Sequence, residues 1–496
     1  MNARFPGWVP LGALVLAAGY LPTLAAPFDF IDDGNLVYAA PPGLGFVGHV
    51  ELWWQKVAAN YDHLGPFRPT LWMHWQLAAN LFGGDAFLWR CMRLAGCALS
   101  AGMLLWLMRE LKAAPVAALL TAAAAMWNPY RNEIWTSLTL AEGVAMPYAL
   151  LALIAARRAT TSRRPWAWDA AALFGLVVAL GCKNVFVALI PPMVVLRLWA
   201  DGESLREACG RRGVRSLLLA IPVLLPAAHF VDFKQHWHAG QYETAAPSPA
   251  QFLRIASSLK GAISADFLGA AYLLAGGLVA VCTPGALRGL SARSLAAMLL
   301  VLGGVVVYLP MNMMSGRYSM PAVWGLDLLL AFGLSAFLAV PTCRVKQLAW
   351  VLLWGGLTLV AVANVGRQEK FAARARLLWD AVQYVEAHAP EGATIAWISG
   401  DSAKGALNVE EGIHFRWHLL HRGRADLRVA LLDADGKPVP RVELPPPGAP
   451  TFRISGHTIE AADWSERANF AQAYWLGRKR YECHLSAKPT ASAMRP

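Results

Sequence analysis

An α-helical polytopic membrane protein with a small α/β region at its C-terminal end is the fold class the sequence predicts, and three observations carry it. Charged residues are only 15% of the 496 residues and hydrophobic ones 56%, whereas a soluble chain is about a quarter charged. The apolar residues come in long runs, giving a mean hydropathy of +0.39. The basic residues gather in short connections between those runs, and that alternation sets orientation in a bilayer.

Taken in order, residues 1–26 combine Arg4, an apolar stretch and a small-residue end at Ala25 and Ala26. Pro27 makes a poor cleavage context, so the segment reads as an uncleaved signal anchor. About eleven stretches have the length of a span: 9–26, 87–108, 114–127, 135–156, 168–182, 185–199, 216–230, 267–282, 294–310, 322–340 and 348–365. The third, fifth and sixth are short and read as tilted or interrupted helices. Arg109/Lys112, Arg157/Arg158/Arg163/Arg164, Arg206/Arg211/Arg212/Arg215, Arg288/Arg293 and Arg344/Lys346 occupy every second connection and, with Arg4, mark the cytoplasmic side. Connections 28–86, 128–134, 183–184, 231–266 and 311–321 then face outward, as does everything after residue 365.

The net charge of +12 does not point to nucleic acid, because the basic residues are spent on orientation loops. The seven Cys are scattered without a C-x-x-C pair, which supports neither a disulfide framework nor a zinc site. The tail, 366–496, has ordinary polarity and reads as a second domain beside the membrane domain 1–365. An amphipathic helix over 371–389, a strand in ATIAWISG, a helix in NVEEGIHFRWHLLHRG closed by Gly423 and a strand in DLRVALLDADGKPV give the order of a small α/β fold. The final SAKPTASAMRP has the composition of a disordered end.

The outward connections hold the chemistry. The first, 28–86, opens with Asp29, Asp32 and Asp33 and continues into two amphipathic segments around Phe46–Val57 and Leu71–Leu81. Both segments read as helices lying in the membrane interface, although packing onto a bundle explains the pattern equally well. WNPYRNEIW offers Arg131 and Glu133, GCKNV places Lys183 at a span end with no acid nearby in sequence, and MNMMSGRYSMP offers Arg317 and Tyr318. A single cation at a span end often snorkels to headgroups. Several on the outward face, against the positive-inside bias, favour a site for an anionic lipid beside a carboxylate base.

The order FDFIDDGNLVY, FRPTLWMHWQLAANLFG…WRCMRLAG, NPYRNEIW, ALGCKNVFVALIPPMVVL and GRYSMPAVWGLDLLLA resembles the GT-C superfamily of integral-membrane glycosyltransferases that use polyprenyl-phosphate sugars, including protein O-mannosyltransferase-like and aminoarabinose-transferase-like enzymes. The resemblance covers residues 1–365. Many relatives have Glu after the Lys where this chain has Asn184. It implies a GT-C-like fold in a bacterial inner membrane with the site facing the periplasm. It also implies a lipid-phosphate sugar as donor and a surface glycan, a lipid-linked saccharide or a protein as acceptor.

Such a reaction needs a base for the acceptor proton and positive charge for the leaving phosphate. Asp32 is the expected base, with Asp33 orienting the acceptor, a local cation or a metal. Lys183 and Arg317 are the first expected phosphate ligands, Arg68 and Arg131 the next, and Tyr318 and Glu133 the expected substrate contacts. A divalent cation at Asp32 and Asp33 stays open, since some relatives need one and others do not. His229, His236 and His238, and Glu411, His414, His418 and His421, have metal-like spacing, but solvated faces explain them as well. The alternative function is a transporter or flippase of lipid-linked glycans, which needs ionisable residues within spans; Glu142, Asp169 and Asp327 are the candidates.

Overall fold

The structure, a computed structural model, describes residues 7–29, 33, 36, 44–62, 68–128, 131–200, 203–225, 249, 253, 291–308, 320–339, 344–398, 409–432, 451–455 and 484–486. The expected span 267–282 lies outside them. The chain starts with α1 (Trp8–Ala18) and a 3₁₀ turn, Leu21–Ala25. Within the 28–86 connection, α2 (Phe46–Asp62) and α3 (Pro69–Phe82) pack as a hairpin. Trp53 Nε1 donates to the Pro69 carbonyl at 2.8 Å, and the buried His49 and Gln76 side chains share a 2.8 Å hydrogen bond. Phe46, Val47, Val50 and Trp54 on α2, and Met73, Leu77 and Leu81 on α3, stay exposed. These leave apolar stripes suited to a membrane interface.

The bundle follows: α4 (Ala86–Glu110), α5 (Pro115–Trp127), the one-turn α6 (Glu133–Thr136), α7 (Ala141–Thr161), α8 (Pro165–Cys182) and a 3₁₀ segment, Asn184–Leu189, that runs into α9 (Ile190–Leu198). Then come α10 (Leu205–Leu218), α11 (Ala292–Tyr308), α12 (Ala322–Ala339) and α13 (Arg344–His388). Local chemistry starts several of these. Asp85 caps α4 by accepting from the Phe87 and Leu88 N–H groups, and Pro occupies the first helical position of α3, α5 and α8, where its missing N–H costs nothing. Among the described helices, α4, α8, α12 and the stretch Lys346–Ala387 are long and apolar enough to cross a membrane; α1, α5, Asn184–Leu198 and α11 are shorter apolar helices. The molecule is therefore a polytopic helical membrane protein.

Three expectations change. The stretch 135–156 is not one helix: it breaks over residues 137–140 and resumes as α7, which runs on to Thr161. The basic connection before residue 216 is itself largely helix, α10, opened by a capping box between Ser204 and Glu207. The span 348–365 and the amphipathic helix 371–389 are one continuous helix, α13, which passes through the expected domain boundary.

Backbone groups that helix ends leave unpaired must be satisfied inside an apolar bundle. The Tyr20 hydroxyl donates to the Met126 carbonyl at the end of α5, Trp127 Nε1 to the Leu16 carbonyl at 2.9 Å, and Asn364 Nδ2 to the Gly19 carbonyl at 2.9 Å. These bonds lock α1, α5 and α13 together. Helices α7 and α8 approach closely at Gly175, where a Cβ would come within 2.6 Å of the Tyr148 carbonyl, a small-residue contact of the kind that holds membrane helices.

In the tail, β1 (Thr394–Ile398) pairs in parallel with both β2 (Arg428–Leu432) and β3 (Thr451–Ser455), and β4 (His484–Ser486) runs antiparallel to β3, giving a four-stranded sheet in the order β2-β1-β3-β4. Helix α14 (Val409–His421) links β1 to β2 and ends at Gly423, whose φ of +82° suits glycine. Leu378, Val382 and Val385 of α13 share a core there with Ile395, Trp397, Phe415, Leu419, Val429 and Leu431.

Candidate active site

The break at 137–140 is where the buried charges collect. Asp33 is fully buried, and its carboxylate accepts four hydrogen bonds: Oδ1 from the Leu138 N–H at 2.8 Å and the Ser137 hydroxyl at 3.5 Å, Oδ2 from the Asp29 N–H at 3.0 Å and Arg90 Nη2 at 2.9 Å. Arg90, also buried, donates further to the Pro27 carbonyl at 2.8 Å, to the Ala26 carbonyl at 3.4 Å and to the Thr136 carbonyl, with Phe371 of α13 5.1 Å beneath its guanidinium. One guanidinium thus joins the chain after α1, the end of α6 and α13. Burial pushes the Asp33 carboxyl up to about 6 against the pull of Arg90.

One turn further along α4, Arg93 donates to the Leu138 carbonyl and, at 3.5 Å, to the Leu140 carbonyl. It lies within electrostatic reach of Asp33, Arg90 and Glu142. The close seat depends on Gly143, where a Cβ would overlap Arg93 Nη1 and come within 2.8 Å of the Ile134 carbonyl. The irregular backbone at 137–140 exists because its N–H and C=O groups pair with these charges, which is how non-helical chain is tolerated at such a place.

Next to this centre, Lys183 at the end of α8 pairs with Glu142 in the first turn of α7. Lys183 has no acid near it in sequence; the antiparallel packing of α7 and α8 brings one from 41 positions away. Arg68, at the start of α3, acts electrostatically on Cys182, next to Lys183, and a Cβ at Gly181 would overlap Thr70 of the same turn of α3. His74 on α3 is half-buried, and burial together with Arg93 pushes its ring down to about 4. Asp33, Arg90, Arg93, Glu142, Lys183 and Arg68 therefore form one ionic centre at a single end of the bundle.

The other expected site residues fall elsewhere. Asp32, Arg317 and Tyr318 lie outside the described residues. Arg131 forms a buried two-pronged pair with Asp327 of α12, at 2.6 and 3.1 Å. Glu133 sits partly buried in the first turn of α6. The Asp33 carboxylate accepts from four donors, and Asp32, its expected partner in holding a cation, lies outside the described residues. Among the described residues, no group of three or more His, Cys, Asp and Glu side chains could hold a metal. His229, His236 and His238 lie outside the description, and so does the Glu411 side chain. His414 and His418 are buried and not solvated.

The sequence reading missed Arg90, Arg93 and the role of Glu142. Its signal was present in WRCMRLAG: two Arg three positions apart in the first turns of an apolar span lie on one helix face. Intramembrane ionisable residues of that kind mark function or buried partners. Glu142, Asp169 and Asp327 are all paired, with Lys183, Arg197 and Arg131 respectively.

These features define a polytopic helical membrane protein with a buried ionic centre at one end. No family model and no curated protein matches the chain. Among solved structures it is similar to the crystal structure of ArnT from Cupriavidus metallidurans in the apo state and to that of ArnT bound to undecaprenyl phosphate, each at 16% identity over 86% of this chain and 86% of that chain, with a TM-score of 0.49. Likeness at that level leaves the chemistry to the residues.

Proposed function

We propose that the protein is a GT-C-like glycosyltransferase of a bacterial inner membrane, which moves a sugar from a polyprenyl-phosphate donor to a glycan, lipid-linked or protein acceptor on the periplasmic side. The observation that carries the reading is the joining of the Asp33–Arg90 anchor, in the acidic first outward loop, to the Lys183–Glu142 pair and Arg68 by way of Arg93. A carboxylate-bearing loop then stands beside a cluster with surplus positive charge, which suits a base and a phosphate leaving group.

In this reading Asp32 takes the acceptor proton, while Asp33 orients the loop by binding Arg90 and the 137–138 backbone. Lys183 and Arg68, with Arg93 behind them, offset charge on the donor phosphate, and Arg317 and Tyr318 complete the donor site. Glu142 holds the Lys183 ammonium in place until phosphate competes for it. Arg131 serves the α12 interface. The first outward loop, with its interfacial apolar stripes, faces the periplasm by the positive-inside argument.

The transporter alternative loses ground because its three in-span carboxylates each hold a basic side chain. The test is complementation of a deletion strain with Asp32→Asn and Asp33→Asn at matched membrane levels, with surface glycans read by mass spectrometry. Loss of one defined sugar in Asp32→Asn supports the transferase and names the donor. Full glycan profiles in both variants overturn it.

A further inference from the structure

The C-terminal region touches the acidic loop at two places that the chemistry above leaves unused. Helix α14 carries His414, His418 and His421 at helical spacing. His418 is fully buried. Its ring stands 6.2 Å from Phe28 and 5.3 Å from Trp379 of α13, edge to face with the indole, and Phe28 and Trp379 are 6.3 Å apart, closing a triangle of rings. His418 also interacts with the main chain of Asp29. At the second place, the His421 ring fills the space over Gly84 between α3 and α4, where a Cβ would lie 2.9 Å from its Nε2.

Trp379 belongs to two packing clusters at once. One is the core of the tail sheet; the other is the cluster of Phe28, Leu36, Ala78, Ala79, Trp89 and Leu138 under the first outward loop. The contact is also close to the ionic centre along the chain. Asp29, whose main chain lies within electrostatic reach of His418, donates its N–H to Asp33 Oδ2 at 3.0 Å. Desolvation by burial drives the His418 ring down to about 3, so it stays neutral at physiological pH and adds no charge to the loop.

We infer that α14, together with Trp379 of α13, positions the acidic loop: His418 and Trp379 clamp Phe28 and Asp29, and through them hold Asp33 against Arg90. The C-terminal region then acts on the reaction through the loop's geometry. The mechanical part stands on the contacts alone; only its kinetic consequence rests on the transferase reading. The contact set favours this over a solvated histidine face, because aromatic triangles of this kind contribute beyond their buried area, His418 is fully buried and the partly buried Trp379 packs against the cluster that holds Phe28.

Hydrogen–deuterium exchange on the full-length protein in detergent tests it. In His418→Ala and Trp379→Ala, peptides spanning 26–36 exchange about tenfold faster than in the wild type, while those of α7, α8, β1 and β2 keep their protection. Leu420→Ser, on the exposed side of α14, leaves 26–36 unchanged. Should His418→Ala loosen the sheet as well, Trp379→Phe and Phe28→Leu decide, since each trims the triangle without leaving a buried polar group behind. Unchanged exchange at 26–36 in both overturns the inference. In transfer assays a positioning role lowers kcat about ten- to a hundredfold with donor KM unchanged, and His418→Gln recovers part of it; an equal rise in donor KM instead overturns it. If the wild type transfers no sugar, the transferase reading falls while the exchange result stands, so the two failures are told apart.

Discussion

The two ends of the bundle both carry arginine–carboxylate pairs, and they are built differently. At the end that carries the 28–86 connection, Arg90 and Asp33 have side-chain exposures of 1% and 0%, and each is bound to main-chain groups from other segments. At the opposite end, Arg158 pairs with Glu110 at 2.7 Å at exposures of 20% and 16%, and its guanidinium lies 5.8 Å from both the Trp106 and Trp168 rings. Arg197 pairs with Asp169 there, and Arg212 with Glu203. Arg158 and Arg212 reach toward water from helix ends, as orienting residues do, while Arg197 is itself buried and pairs, among the described residues, with Asp169 alone. The Arg90–Asp33 pair and Arg93 are buried and hold irregular backbone in one shape. Deep burial joined to several main-chain partners, more than burial or the number of charges alone, separates a positioning network from an orientation signal.

The comparison breaks most sharply at Arg90. Arg90→Ala leaves Asp33 buried without its cation and costs about 3–5 kcal/mol; thermal unfolding in detergent should show it, with loss of transfer activity. If Arg90→Ala melts like the wild type, the outward network is no more than the inner pairs.

Next in size is Lys183. The double variant Lys183→Gln with Glu142→Gln removes the cation without stranding its partner, so the fold should hold while transfer falls about a hundredfold or more. Melting curves alongside product quantified by mass spectrometry check this; an active double variant would reduce Lys183 to a structural residue.

Gly143→Ala sharpens the role of Arg93. The new Cβ meets Arg93 and the Ile134 carbonyl, an overpacking that costs about 1–3 kcal/mol, and transfer should fall more than stability does. Parallel activity and urea-unfolding series separate the two effects.

A smaller effect concerns pH. The Asp33 carboxyl titrates at about 6 in the fold and at its ordinary 3.8 when unfolded. A group raised on folding contributes stability that is fully present below the unfolded value and is lost as pH rises through the folded one. The wild type should therefore lose stability between pH 4 and pH 6 relative to Asp33→Asn, read from the difference in slope of their melting temperatures against pH. Smallest of all, Arg158→Ala at the other end should cost about 1 kcal/mol and leave transfer unaltered.

Some of this was legible in the residues themselves. Helices α4, α5, α8 and α12 follow from apolar runs with Asp or Pro at their starts, because those signals act within a turn or two of chain. The strands at 394–398 and 428–432 and the helix that Gly423 closes are equally local. That Asp33, Lys183 and Arg68 would gather on one face of the bundle came from charge bias along the sequence, which needs no contacts to read. Partnership is different. Lys183 finds Glu142, Arg131 finds Asp327 and Asp33 finds Arg90 only when antiparallel helices pack, since nothing in a local stretch says which opposite charge will face it. The break at 137–140 was hidden for the same reason: its sequence reads as the start of a span, and only buried arginines taking its carbonyls make an irregular path cheaper than a helix. The clamp of His418 on Phe28 lies furthest from sequence reading. It joins residues at opposite ends of the chain through ring packing, and ring packing leaves no periodic trace.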